Sequence, residues 1–175
     1  MQIFGNEIRE IITEKEINKR VKELADSLSV KFADEVPILI GVLNGSFIFM
    51  ADLMRKMSID CEMDFIKISS YSGTESVGTV KLLKDISADI TNRHVVIVED
   101  IIDSGLTINF LKERLLGAGP KSVTVVALLL KPEIADINYK IDFVGFEIPP
   151  EFVVGYGLDF NQKLRHLPSI YSLEG

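Results

Sequence analysis

The chain predicts an α/β fold, a mostly parallel central sheet flanked by helices. Three observations predict it. Segments with strand and helix patterns alternate along the sequence. The runs Val36–Leu43, His94–Glu99 and Val123–Leu130 are nearly all apolar, as strands covered on both faces are. The length of 175 residues fits one domain, 1–175, because a second independent core would have to be unusually small.

Each element has a local reason. Thr13-Glu14-Lys15-Glu16 reads as a capping box opening a helix with Ile17, Val21, Leu24 and Leu28 on one face. Val36–Leu43 is a buried strand bounded by Pro37 near its start and Asn44-Gly45 at its end. Ser46 is placed to cap a helix that carries Phe47, Met50, Ala51 and Met54 inward. Cys61–Ser69 alternates partly and suggests a second strand, and the small, polar stretch Ser70–Thr79 with its two glycines reads as a mobile loop. After the strand His94–Glu99 comes an acidic, glycine-containing turn, then a helix over Leu106–Leu116 that stops at Gly117 and Gly119-Pro120. Val123–Leu130 is the next buried strand, and Phe143–Phe146 and Val153–Tyr156 are shorter ones.

Composition bounds the function. Apolar residues make up 47% and charged ones 26%, the mixture of an ordinary globule. No apolar run approaches the roughly 20 residues of a membrane span, and Met1–Ile12 lacks the basic start and apolar centre of a signal peptide, so a cytoplasmic location is expected. A single cysteine, Cys61, agrees with a reducing compartment. Nineteen Lys and Arg against 26 Asp and Glu give a net charge of -7, which argues against a broad nucleic-acid surface. A polyanionic substrate must therefore be met locally, by backbone amides, a few cations or a metal. The loop GxxxxGK[ST] and the fingerprint GxGxxG are both absent from the sequence. His94 and His166 have no partner at metal spacing and read as structural, and Cys61 as an apolar filler.

In open parallel sheets ligands gather outside the carboxyl ends of the strands. The unusual residues fall there: Asn44-Gly45-Ser46, Glu99-Asp100 through Thr107, and Lys131. In the stretch from Val95 to Thr107 two carboxylates end a strand, Asp103 follows, and a hydroxyl-rich turn starts a helix. The turn Asp103–Thr107 offers consecutive amides, two hydroxyls and a helix N-terminus, an anion cradle. Carboxylates beside a phosphate repel it unless they grip hydroxyls or a cation. A ribose diol or a magnesium ion resolves that conflict, and the physical reading is a sugar-phosphate site with acids on the diol side. A solvated strand end with Asp103 as a helix cap is the bland alternative.

This segment resembles the phosphoribosyl pyrophosphate signature of the purine phosphoribosyltransferases over all thirteen residues. The resemblance extends almost from end to end. Leu43-Asn44-Gly45-Ser46 resembles the family's pyrophosphate loop, departing at Asn44, where a lysine is common, so that one positive charge is missing. Ser70-Tyr71 resembles the tip of its catalytic lid. Lys131, Phe152 through Asp159, and Arg165 are similar to the base-recognition and pyrophosphate segments of the hypoxanthine-guanine branch. The resemblance implies a type I phosphoribosyltransferase fold with a small hood from the terminal segments, Mg2+ as cofactor, and a homodimer or homotetramer.

It also implies roles. Asp103 takes a proton from the purine N7 as N9 bonds to the sugar, and Ser70-Tyr71 close over the site. Glu99 and Asp100 hold ribose hydroxyls or magnesium waters, and Asp159 is a magnesium ligand. The amides of Asp103, Ser104, Gly105, Leu106 and Thr107, with the Ser104 and Thr107 hydroxyls, hold the 5'-phosphate, the Leu106 side chain adding no polar contact. Asn44, Gly45 and Arg165 face the pyrophosphate. Phe152 stacks on the base and Val153 reads its edge through the backbone. The Lys131 ammonium only donates, which suits a 6-oxopurine and leaves donors facing each other with adenine. The expected activity is purine salvage: phosphoribosyl transfer from phosphoribosyl pyrophosphate to hypoxanthine, and to guanine. The rivals are a phosphoribosyl pyrophosphate-sensing regulator, which should carry a basic face or an added DNA-binding domain, and a transferase preferring xanthine.

Overall fold

A computed structural model describes the backbone of residues 2–3, 6–73 and 76–174, and the side chains of residues 7–69 and 79–173. In chain order the elements are β1 (Gln2–Ile3), β2 (Asn6–Ile12), α1 (Glu14–Lys31), β3 (Ile38–Leu43), α2 (Phe47–Lys56), β4 (Glu62–Gly73) and β5 (Ser76–Lys84). These are followed by β6 (His94–Ile102), α3 (Leu106–Leu116), β7 (Ser122–Leu130), β8 (Phe143–Glu147), β9 (Val153–Val154) and β10 (Ile170–Glu174).

The main sheet has six strands in the order β5-β4-β3-β6-β7-β8. All its pairings are parallel except β4 with β5. The apolar strands earn their place by alternation. Leu39, Val96, Val98, Val126 and Leu128 face one core with α1 and α2, while Ile38, Ile40, Val95, Ile97 and Val125 face the other with α3. The capping box forms as expected: the Thr13 hydroxyl accepts from the Glu16 amide at 3.3 Å and the Thr13 amide donates to the Glu16 carboxylate at 2.8 Å. Ile17, Val21, Leu24 and Leu28 are all buried, each contributing about 1.5–3 kcal/mol.

Strand order reverses between β3 and β6. From β3 the chain crosses through α2 to β4 on one side, and from β6 through α3 to β7 on the other. The two carboxyl ends therefore diverge into a crevice. A second, antiparallel sheet, β1-β2-β10-β9, is built from the terminal segments and is the expected hood.

Three expectations are corrected. Within the stretch 70–79, residues 70–73 and 76–79 are paired backbone and not a loop: Tyr71 lies opposite Thr79, Ser72 opposite Val77 and Gly73 opposite Ser76. Its small polar residues hide a cross-strand partner that only the hairpin supplies, through β-branched Val77, Thr79 and Val80. Ser46 stands at the helix start but makes no capping bond: its backbone is already helical (φ -78, ψ -6), and its buried hydroxyl has no partner among the described residues. The inward face of α2 is Phe49, Met50 and Leu53, whereas Phe47 is 42% exposed and Ala51 is exposed. With Ser46 itself buried at the helix start, the inward stripe runs 46, 49, 50 and 53, which leaves Met54 half-buried at its edge.

Candidate active site

A cavity of about 520 Å³ opens at the reversal point. Its walls include Asn44 and Gly45 after β3, Glu99 and Asp100 on β6, and Asp103, Ser104, Gly105 and Thr107 in the following turn. Asp159 and Arg165 close it from the segment between β9 and β10. Of the residues singled out in the sequence, these ten converge on one space.

Local structure explains how. The peptide between Leu43 and Asn44 is cis. Gly45 lies so close to β6 that a Cβ there would sit 1.8 Å from the Asp100 carboxylate, so any side chain would have to displace that group. Gly105 takes a left-handed conformation (φ 89) at the N-cap of α3, and the first turn of that helix borders the cavity through Thr107 and Ile108. The Ser104 hydroxyl accepts from the Leu106 amide at 3.4 Å, and the Ser104 carbonyl accepts from the Asp136 amide at 2.9 Å, so the turn is tied on both sides.

The acidic pair is electrostatically unusual. Glu99 is 3% exposed, and its Oε1 has no partner among the described residues. Burial first, and the neighbouring Asp100 carboxyl second, push the Glu99 pKa well above the usual carboxylate range. Burial pushes Asp100 up to about 6, against the pull of the Ile101 amide, which donates to its Oδ1 at 2.9 Å, and of Arg165. A buried polar oxygen without a partner, on a residue that borders a cavity, is an acceptor waiting for a donor or a cation.

Lys131 follows β7, and its amide donates to the Ile102 carbonyl at 3.0 Å, which sets it beside the end of β6. It is 6% exposed, and its ammonium donates to Asp103 Oδ2 at 3.2 Å. A buried ammonium needs such a partner. Arg165 donates to the Gly157 carbonyl at 2.8 Å and lies 3.1 Å from Asp159 Oδ1, while Asp159 Oδ2 accepts from the Gln162 amide at 2.8 Å.

The remaining expected residues stand outside the cavity walls. Lys131 reaches the site through Asp103, and Leu106 opens α3 half-buried. Phe152 is 53% exposed and packs at right angles to Phe160 (centroids 6.1 Å apart), and Val153 is buried in β9 opposite Ser172. The side chains of Ser70 and Tyr71 lie outside the described residues. The sequence reading missed the apolar wall formed by Ile68, Ile102 and Leu158. No signal could have found it, because apolar residues within strands and tight turns look like core.

Comparison with known proteins agrees with this geometry. Residues 8–161 match the phosphoribosyl transferase domain family. The hypoxanthine phosphoribosyltransferase of Buchnera aphidicola is 49% identical over 166 residues, covering 93% of this chain and 94% of the relative. A hypoxanthine-guanine phosphoribosyltransferase from Bacillus anthracis, crystallised with HEPES in its active site, superposes with a TM-score of 0.91 at 47% identity, covering 96% of this chain and 100% of that one. The Trypanosoma cruzi hypoxanthine phosphoribosyltransferase in complex with its product IMP superposes with a TM-score of 0.89 at 37% identity, covering 99% of this chain and 97% of that one. With an anion cradle, an acidic pair and a cation-closed crevice at the switch point, and relatives matching nearly end to end, the chain belongs to the phosphoribosyltransferase family, in its hypoxanthine-guanine branch.

Proposed function

We propose that this enzyme transfers the 5-phosphoribosyl group of phosphoribosyl pyrophosphate to hypoxanthine, and to guanine, releasing pyrophosphate and forming IMP or GMP. One observation carries the reading: the anion cradle of Asp103–Thr107, the Glu99-Asp100 pair and Arg165 border a single cavity, with the Lys131 ammonium 3.2 Å from Asp103 at its edge. The amides and hydroxyls of the cradle bind the 5'-phosphate, and the acids take the ribose diol. Asn44, Gly45 and Arg165 receive the pyrophosphate. N9 of the purine forms the bond to C1 of the ribose as the C1–O bond breaks, its electron pair leaving with pyrophosphate. The N7 proton passes to the Asp103 carboxylate. Lys131 keeps one donor on Asp103 and offers the others to the 6-oxo group.

The donor set also fits magnesium. Among the described residues no three metal-ligating side chains cluster into a closed cage. Magnesium is ordinarily held by one or two carboxylates together with substrate phosphates, and the unpartnered Glu99 oxygen, Asp100 and Asp159 supply such oxygens. An ion held by these residues would neutralise charge developing on pyrophosphate. Ser70-Tyr71, at the far end of β4, would shield the reacting sugar from water. No described helix is long and apolar enough to cross a membrane. The reading is of one domain acting in the cytoplasm as a homodimer or homotetramer.

The test is direct. Protein incubated with phosphoribosyl pyrophosphate, magnesium and a single purine should yield IMP from hypoxanthine and no AMP from adenine. Inactivity toward hypoxanthine, guanine and xanthine alike would overturn the reading.

A further inference from the structure

The segment that carries Asp159 and Arg165 begins with three consecutive positive φ values: Gly155 (95), Tyr156 (50) and Gly157 (100). Two of these are glycines, which adopt such angles freely. Tyr156 is not, and a bulky aromatic in this region persists only where its surroundings over-determine it. Two side-chain features do so. Its ring is 6% exposed within the core shared with α1 and α2. Its hydroxyl donates to Asp52 Oδ2 at 2.6 Å. Burial and the Asp52 carboxylate both raise the pKa of that hydroxyl, so it stays a donor.

Asp52 lies on α2, the helix that begins directly after the Asn44-Gly45 loop. The next residue of the segment approaches that loop itself: a Cβ on Gly157 would meet the Gly45 carbonyl oxygen at 2.1 Å. The hydroxyl thus ties the segment to the body of α2 while the adjoining backbone lies against the loop at its foot. Neither Tyr156 nor Asp52 borders the cavity, whereas Asn44, Gly45, Asp159 and Arg165 all do. Any influence of the pair on ligands must pass through residues that do border it, those four among them.

We infer that the Tyr156–Asp52 hydrogen bond is a positioning contact that holds the Asp159–Arg165 segment against the Asn44-Gly45 loop and so sets the shape of the pyrophosphate end of the cavity. The inference rests on the phosphoribosyltransferase reading of that cavity. It locates the pair's effect: the polyphosphate half depends on it, and the purine half around Asp103 and Lys131 does not.

Three variants of the intact protein test this. Tyr156→Phe keeps the ring and removes the hydroxyl, Asp52→Leu removes the acceptor, and Asp52→Asn restores an acceptor oxygen of the same shape. Binding of phosphoribosyl pyrophosphate with magnesium is measured by calorimetry, and KM and kcat with hypoxanthine by steady-state kinetics. Tyr156→Phe and Asp52→Leu should each weaken phosphoribosyl pyrophosphate about 10-fold, the scale of one hydrogen bond to a charged group. Asp52→Asn should recover most of that loss, the double variant should be no worse than either single one, and the KM for hypoxanthine should stay within about twofold. Unchanged phosphoribosyl pyrophosphate affinity in Tyr156→Phe, or equal losses for both substrates, would overturn the inference. If Tyr156→Phe does not fold, the contrast between Asp52→Asn and Asp52→Leu decides by the same criterion. A wild-type protein that binds phosphoribosyl pyrophosphate without forming IMP would fault the enzymatic reading alone, because the comparison of Kd values needs no turnover.

Discussion

At the scale of residues the site is a set of carboxyls in unequal environments. Glu99 and Asp100 lie next to each other at the floor of the cavity, where burial disfavours charge on both. Asp103 is different: its side chain is 54% exposed and paired with the Lys131 ammonium. In the proposed reaction Asp103 is the proton acceptor and the inner pair meets the ribose hydroxyls. Asp103→Asn preserves shape and the acceptor facing Lys131 but removes the proton acceptor. Its kcat should fall about 100-fold or more, the range of general-base catalysis, with both KM values changed far less. Steady-state kinetics checks this, and an undiminished kcat would remove Asp103 from the role.

Among the elements, the Asp64 side chain ties β4 to the segment leading into β6. Asp64 Oδ2 accepts from the amides of Ser87 (2.6 Å) and Ala88 (2.9 Å), and its Oδ1 accepts from Phe65 (2.7 Å), with Lys84 3.6 Å away. Burial works against the charge, but the three amides and Lys84 outweigh it and lower the pKa below 3.8. A carboxyl with a lowered folded-state pKa stabilises the fold above its unfolded value, and that contribution disappears as pH falls through the lowered one. Asp64→Asn should therefore cost about 1–3 kcal/mol at neutral pH. In urea unfolding, the gap between wild type and variant should narrow as the pH drops below 3.8. A gap independent of pH would show that charge contributes nothing there. Arg20 plays a comparable part for the edge strand, donating from α1 to the carbonyls of Gly145 (2.9 Å) and Val144 (2.7 Å).

Over the whole molecule the cavity draws its walls from segments separated by more than a hundred residues, Asn44-Gly45 at one end and Asp159-Arg165 at the other. A ligand that touches both closes a contact between distant parts of the chain. Saturating phosphoribosyl pyrophosphate with magnesium, at 100 times its Kd, should add about 2.7 kcal/mol to stability. In a domain of this size that raises the thermal midpoint by about 5–10 °C. Scanning fluorimetry with and without ligand measures it, and an unmoved midpoint would contradict binding across that cavity.

The sequence alone determined whatever depends on near neighbours. The α1 capping box, the stop of α3 at Gly117, the doubly buried strands and the acidic turn into a helix N-terminus are all local patterns, and each appears in the fold. Grouping the acids with Lys131 was also legible, because strand carboxyl ends share one edge of a parallel sheet. Tertiary structure decided the rest. The pairing of β4 with β5, the pairing of β2 with β10 and the seating of Tyr156 on Asp52 join residues whose local sequence carries no sign of the partner. Pairing across a ladder and burial against a distant helix are paid back only once the whole chain has closed, so no window of neighbouring residues contains the reason for them.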